Sequence, residues 1–205
     1  MKESKKLHVF YIFPLLYVVS VYLFLVLFFF SAEFPFLSCF KYVPFIFGIL
    51  NIIMSAKYCR PEYRDILLNS AVLMKYSMIP FFAIGGLLVI GSFLLSFIPV
   101  PFMIFLGPTV AFMCCVIGWL ILVFEAPYTI SYLRLSQKAG IRPKFAEVLH
   151  CICQFFFFLD VFDVMYLTLK ERKWKKLTIT LLSLMAIAVI GFFIFVFSAI
   201  IRTIF

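Results

Sequence analysis

Apolar side chains fill five long stretches of this chain almost without a break, and polar ones gather in short tracts between them. A helix needs about 20 apolar residues to cross a bilayer. The runs cover about 8–31, 37–55, 78–97, 108–125 and 177–201, the third stopping before Ile98-Pro99-Val100-Pro101. The pattern predicts an all-α polytopic membrane bundle of about five transmembrane helices, in a single domain over 1–205. The first run follows a basic start, Met1 to Lys6. It is longer than the 7–15 residues, roughly, of a signal-peptide core, so an uncleaved first helix is expected.

Two further segments have helical period but more polarity. In 61–76, Glu62, Asp65 and Asn69 share one face, while Tyr63, Ile66, Leu67, Ala71 and Met74 share another. Pro61 suits a first turn and Glu62 suits its positive end. An amphipathic helix on the membrane surface, leading into the third span, is expected. The second segment, 145–169, is long enough to cross, and charge decides its place.

Basic residues collect in the cytoplasmic loops of membrane proteins. With the N-terminus inside and five crossings, all of the 18 basic residues except Lys41 and Arg202 fall on the cytoplasmic side. If 145–169 also crossed, the tract KERKWKK would move outside. The five-span arrangement therefore puts the C-terminus outside and leaves 145–169 interfacial, re-entrant or packed among cytoplasmic helix ends. This gives two cytoplasmic-side amphipathic helices.

Composition agrees: 66% of residues are hydrophobic and 13% charged, against about 45–50% and about 25% in soluble domains. The net charge of +9 belongs to membrane loops, so no nucleic-acid partner is expected. The tract Lys170, Arg172, Lys173, Trp174, Lys175 and Lys176 reads as a membrane-interface anchor for anionic lipid headgroups at the cytoplasmic face. The cysteines Cys39, Cys59, Cys114, Cys115, Cys151 and Cys153 form no C-x-x-C pair, which leaves a disulfide scaffold or zinc site unsupported.

Polar groups near lipid are costly unless paired, so they mark candidate sites. Glu147, His150 and Gln154 lie within about 60° of one another on a helix, and so do Asp160 and Asp163 on another side. The run Phe155 to Phe158 separates the two stripes, which suits a helix that bends or meets different partners along its length. Glu125 ends the fourth run, where a carboxylate opposes the helix dipole. A partner such as Lys75 or Arg134 is expected. Asp160, Asp163 and Glu125 together are the candidates for a cation or proton route in a small transporter or channel.

Glu147-x-x-His150 matches half of a helical di-iron motif, which needs a second copy and two more carboxylates. No metal or cofactor is expected. His150 beside Cys151 and Cys153 raises a membrane cysteine peptidase, although neighbouring positions on a helix diverge. Nucleotide-loop, zinc-peptidase and serine-hydrolase motifs are absent from the sequence. Gly85, Ser92 and Ser96, with Gly86 and Gly91 beside them, are expected to let a neighbouring helix approach.

The stretches RDILLNSAVLMKYSMIPFFAIGGLL, IGWLILVFEAPYTISYLRLS and QFFFFLDVFDVMYLTLKERKWKKLT resemble an uncharacterised family of bacterial multipass membrane proteins, a domain family of unknown function. The likeness covers roughly Arg64 to Thr178. It implies a bacterial plasma membrane location and carries no functional residue over. The expected role is non-enzymatic: a transport-related, regulatory or assembly component beside a membrane protein partner.

Overall fold

The computed structural model describes the backbone of residues 2–30 and 40–204, and the side chains of 10–27, 40–194, 197–198 and 201. The end of the first apolar run, the start of the second and Cys39 lie outside the described residues. So do the side chains of Lys2, Lys5, Lys6, His8 and Arg202.

Among the described residues seven α-helices follow in order: α1 Lys2–Phe30, α2 Val43–Lys57, α3 Arg64–Leu95, α4 Pro101–Lys138, α5 Lys144–Cys153, α6 Leu159–Lys170 and α7 Lys175–Ile204. No strand occurs among the described residues. Five helices among the described residues, α1, α2, α3, α4 and α7, are long and apolar enough to cross a membrane. The chain forms two compact units, 1–164 and 165–205.

In the first unit α3 and α4 are the longest elements, with 32 and 38 residues. At 1.5 Å per residue they reach about 48 and about 57 Å, well beyond the roughly 30 Å of a hydrocarbon core. Their polar ends lie together. Arg64 at the start of α3 donates to Ser136 Oγ at 3.0 Å and to the Tyr132 hydroxyl at 3.2 Å on α4. Its guanidinium also sits over the Tyr132 ring, 5.0 Å from the centroid. Phe10 of α1 meets Tyr58, just past α2, and Tyr128 of α4 edge to face. Tyr11 accepts from Asn69 of α3 at 3.2 Å. The core at this end holds Tyr17, Leu67, Met74, Leu122, Tyr128 and Leu133, all fully buried.

The segment 61–76 is continuous with the third span. Pro61–Tyr63 makes one 3-10 turn, and α3 then runs unbroken to Leu95. No glycine or proline interrupts its hydrogen-bond ladder before Pro80. Leu67, Leu68, Ala71, Met74 and Lys75 are enclosed by protein. Pro80 disturbs the carbonyls one turn earlier, and Tyr22 of α1 donates to one of them, that of Ser77, at 2.6 Å.

Two glycines admit close helix contacts. A Cβ on Gly48 of α2 would lie 2.5 Å from the Phe124 ring of α4, and one on Gly107 of α4 would lie 2.5 Å from the Ser92 carbonyl oxygen of α3. The small-residue reading of α3 is thus corrected in part: Ser92 and Ser96 meet Gly107, whereas Gly85, Gly86 and Gly91 have open space where a Cβ would stand. Beyond the polar end, Leu87, Phe93 and Leu94 of α3 and Phe102, Phe105 and Phe112 of α4 are exposed, as apolar surface facing lipid would be.

In the second unit, α6 ends on a left-handed residue. Arg172 has φ 55°, its N–H bonds the Leu169 carbonyl at 3.1 Å, and the Lys173 N–H bonds that of Thr168 at 3.0 Å. This is the Schellman pattern, which normally uses glycine at that position. The end of α4 has the same pattern with the usual residue, Gly140 at φ 71°. Lys175 and Lys176 open α7, and Trp174 between the helices is half exposed. Along α7, Leu184, Ile187, Phe193 and Phe197 are exposed.

Candidate functional site

The segment 145–169, expected as one amphipathic stretch, is two helices. α5 stops at Cys153 and α6 begins at Leu159, with Phe158 at φ 68° in the turn between them. A left-handed phenylalanine costs about 1–2 kcal/mol locally, so the turn is held by contacts made elsewhere. Phe157 supplies one. Its ring packs against Gly118 of α4, where a Cβ would lie 3.3 Å from it, and stands 5.9 Å edge to face from Phe82 of α3. The phenylalanine run is the turn of a helical hairpin: Phe157 rests against α3 and α4, while Phe155, Phe156 and Phe158 are exposed.

Doubling back brings the two polar stripes together. His150 Nδ1 hydrogen-bonds Asp163 Oδ1 across the hairpin. Gln154 Nε2 donates to Asp163 Oδ2 at 2.6 Å, and Arg142 Nη1 lies 3.3 Å from His150 Nε2. Arginine only donates, so Nε2 accepts and the ring proton sits on Nδ1, facing the carboxylate. Burial pushes Asp163 above the ordinary aspartate range, while His150, Gln154 and the Arg142 charge pull it back. Arg142 brings a positive charge to this cluster opposite the Asp163 carboxyl.

Asp160, one turn before Asp163, points to a second cluster. Its Oδ2 accepts from Lys75 Nζ of α3 at 2.6 Å, and the same ammonium lies 3.4 Å from Glu125 Oε2 of α4. The three side chains are 0%, 1% and 0% exposed for Lys75, Asp160 and Glu125. Glu125 has one of the partners expected for it, but the reason is corrected: α4 continues to Lys138, so Glu125 lies mid-helix, away from the dipole's negative end, and it is complete burial that calls for a cation. Neither Glu125 oxygen has a hydrogen bond, nor does Asp160 Oδ1.

The structure thus gathers His150, Gln154, Asp160, Asp163 and Glu125 at one end of the first unit. Glu147 stands apart, half-buried on α5, where its charge acts on Cys151. Lys170, Arg172, Lys173, Trp174, Lys175 and Lys176 form the end of α6, the connecting turn and the start of α7. Arg142 was invisible to sequence reasoning as a site residue, being one basic loop residue among many. Its position two residues before a helix that carries a histidine was the sole signal.

The arrangement bears on the chemistry considered from sequence. His150 turns its nitrogens to Asp163 and Arg142. Burial pushes the Cys151 thiol up to about 11 and raises Cys153 as well, so thiolate is scarce at neutral pH. Neither feature suits a cysteine nucleophile activated by His150. A cavity of about 10 Å³ between α1, α2 and α4 is lined by Phe24, Pro44, Phe45, Ile117, Ile121 and Phe124. Its walls are wholly apolar, unlike a water-filled path to the carboxylates.

No curated protein and no solved structure matches the chain. A model of a family described as of unknown function (DUF6652) matches residues 7–176, and the chain belongs to that family.

Proposed function

We propose that this chain is a non-enzymatic multipass component of a bacterial plasma membrane, with a regulatory or assembly role beside another membrane protein. Its N-terminus lies in the cytoplasm and its C-terminus outside. The α5–α6 hairpin enters the cytoplasmic half of the bilayer as a re-entrant element. The tract 170–176 rests on anionic lipid, worth about 1 kcal/mol per basic group.

One observation carries the reading. The carboxylates offered for transport are turned inward: Glu125 and Asp160 onto Lys75, and Asp163 onto His150. Asp160 ties the hairpin to Lys75 of α3, Lys75 faces Glu125 of α4, and Asp163 closes the hairpin on itself. A small transporter needs water to reach these residues, and the internal pairing favours the docking role over it. The positive-inside balance supports the orientation.

Two measurements test it. Cysteine labelling at position 169 in intact cells should succeed only from the cytoplasmic side. Purification in native lipid discs should yield a fixed-stoichiometry complex, reduced by Asp163→Ala at unchanged expression. A lone monomer with no bound chain, or labelling of position 169 from outside, overturns the reading.

A further inference from the structure

The two polar clusters differ in charge balance. Arg142 offsets Asp163, but Lys75 faces both Glu125 and Asp160. With all three groups ionised, one negative charge is left over where exposure is at most 1%. An uncompensated ion in such a place costs several kcal/mol.

The hydrogen bonds show which carboxyl bears the surplus. Asp160 takes the short contact to Lys75 at 2.6 Å. Glu125 keeps an ion pair at 3.4 Å, and both of its oxygens lack hydrogen bonds. A buried carboxylate ion normally accepts several. Thr129, one turn on along α4, has its buried hydroxyl oxygen unpartnered too. We infer that the Lys75–Glu125–Asp160 cluster is a proton-binding site, holding one proton on Glu125 in the folded protein.

Binding joins a proton to the Glu125 carboxylate and removes the surplus charge, leaving Lys75 and Asp160 as a neutral ion pair. Lys75 comes from α3, Asp160 from α6, and the phenols of Tyr17 and Tyr22 from α1 lie within electrostatic reach of Glu125. Lys57 on α2 is exposed, and His150 on α5 is engaged with Asp163 and Arg142. A sodium ion would need about five or six oxygen ligands and would compete with the ammonium already present; a proton needs neither.

This inference does not rest on the chain having a partner. The test is infrared spectroscopy of the full chain in lipid discs, reading the C=O stretch of protonated carboxyls near neutral pH. The wild type should show a band that Glu125→Gln removes, that Glu125→Asp shifts and that Asp163→Asn leaves in place. Asp160→Asn should also abolish it, because Lys75 and Glu125 then balance each other as ions. Glu125→Gln mimics the neutral acid, so it should fold, with a thermal midpoint at least equal to the wild type. Three results each overturn the site: no wild-type band, a band untouched by both Glu125 variants, or a band removed by sodium at fixed pH.

Discussion

Asp160 on α6 accepts a hydrogen bond from the Lys75 ammonium on α3 at 2.6 Å, both side chains shut away from solvent. One turn later on the same helix, Asp163 closes the hairpin onto His150 and Gln154. A single helical turn therefore holds α6 to α3 and folds it against α5. The consequences can be separated by substitution.

Lys75→Met should be the most damaging change in the cluster. It leaves two buried carboxyls without a cation and should cost about 3–5 kcal/mol. Asp160→Asn leaves Lys75 and Glu125 as a neutral pair and should cost less, about 1–3 kcal/mol. Chemical unfolding in one detergent compares them; equal losses would contradict the assigned charges.

Asp163 makes stability depend on pH in a definite direction. Its folded value is raised by burial, so the folded form binds the proton more tightly than the unfolded one. Its contribution is fully present below the ordinary aspartate range and is lost as pH rises through the raised folded value. Asp163→Asn should flatten that decline in a melting series across mildly acid pH. An unchanged slope would assign the dependence to another group.

The glycines of α2 and α3 should respond oppositely to alanine. Gly48→Ala drives a methyl into the Phe124 ring and should cost about 1–3 kcal/mol. Gly85→Ala meets open space and should be neutral or stabilising by up to about 1 kcal/mol. Unfolding of both variants in one detergent checks the contrast.

Arg172→Gly should stabilise the end of α6 by about 1 kcal/mol, because the residue is already left-handed at φ 55°. Gly140→Ala, at the matching position of α4, should destabilise by a similar amount. Thermal unfolding reads both, and a loss in Arg172→Gly would show that its side chain outweighs its backbone.

The spans were legible because lipid imposes one requirement, a long apolar run, that α3, α4 and α7 meet plainly. Of the first polar stripe, His150 and Gln154 meet at Asp163 while Glu147 stands apart, and of the two partners named for Glu125, Lys75 and Arg134, it is Lys75 that lies beside it. The hairpin was not legible. The run 155–158 pointed to a helix that bends or changes partners, but nothing marked a reversal there, since its left-handed residue is Phe158 in place of a glycine. The turn is fixed by Phe157 against Gly118, a contact between distant parts of the chain that local pattern does not encode. The same absence of a local signal hid Arg142.

Chain order adds a consequence for biogenesis. Lys75 and Glu125 are synthesised before Asp160, and at 3.4 Å they neutralise each other as soon as α3 and α4 pair. That early intermediate has no excess charge to shield from lipid. The later arrival of Asp160 creates the imbalance, so the proton site proposed on Glu125 ties completion of the fold to capture of a hydrogen ion.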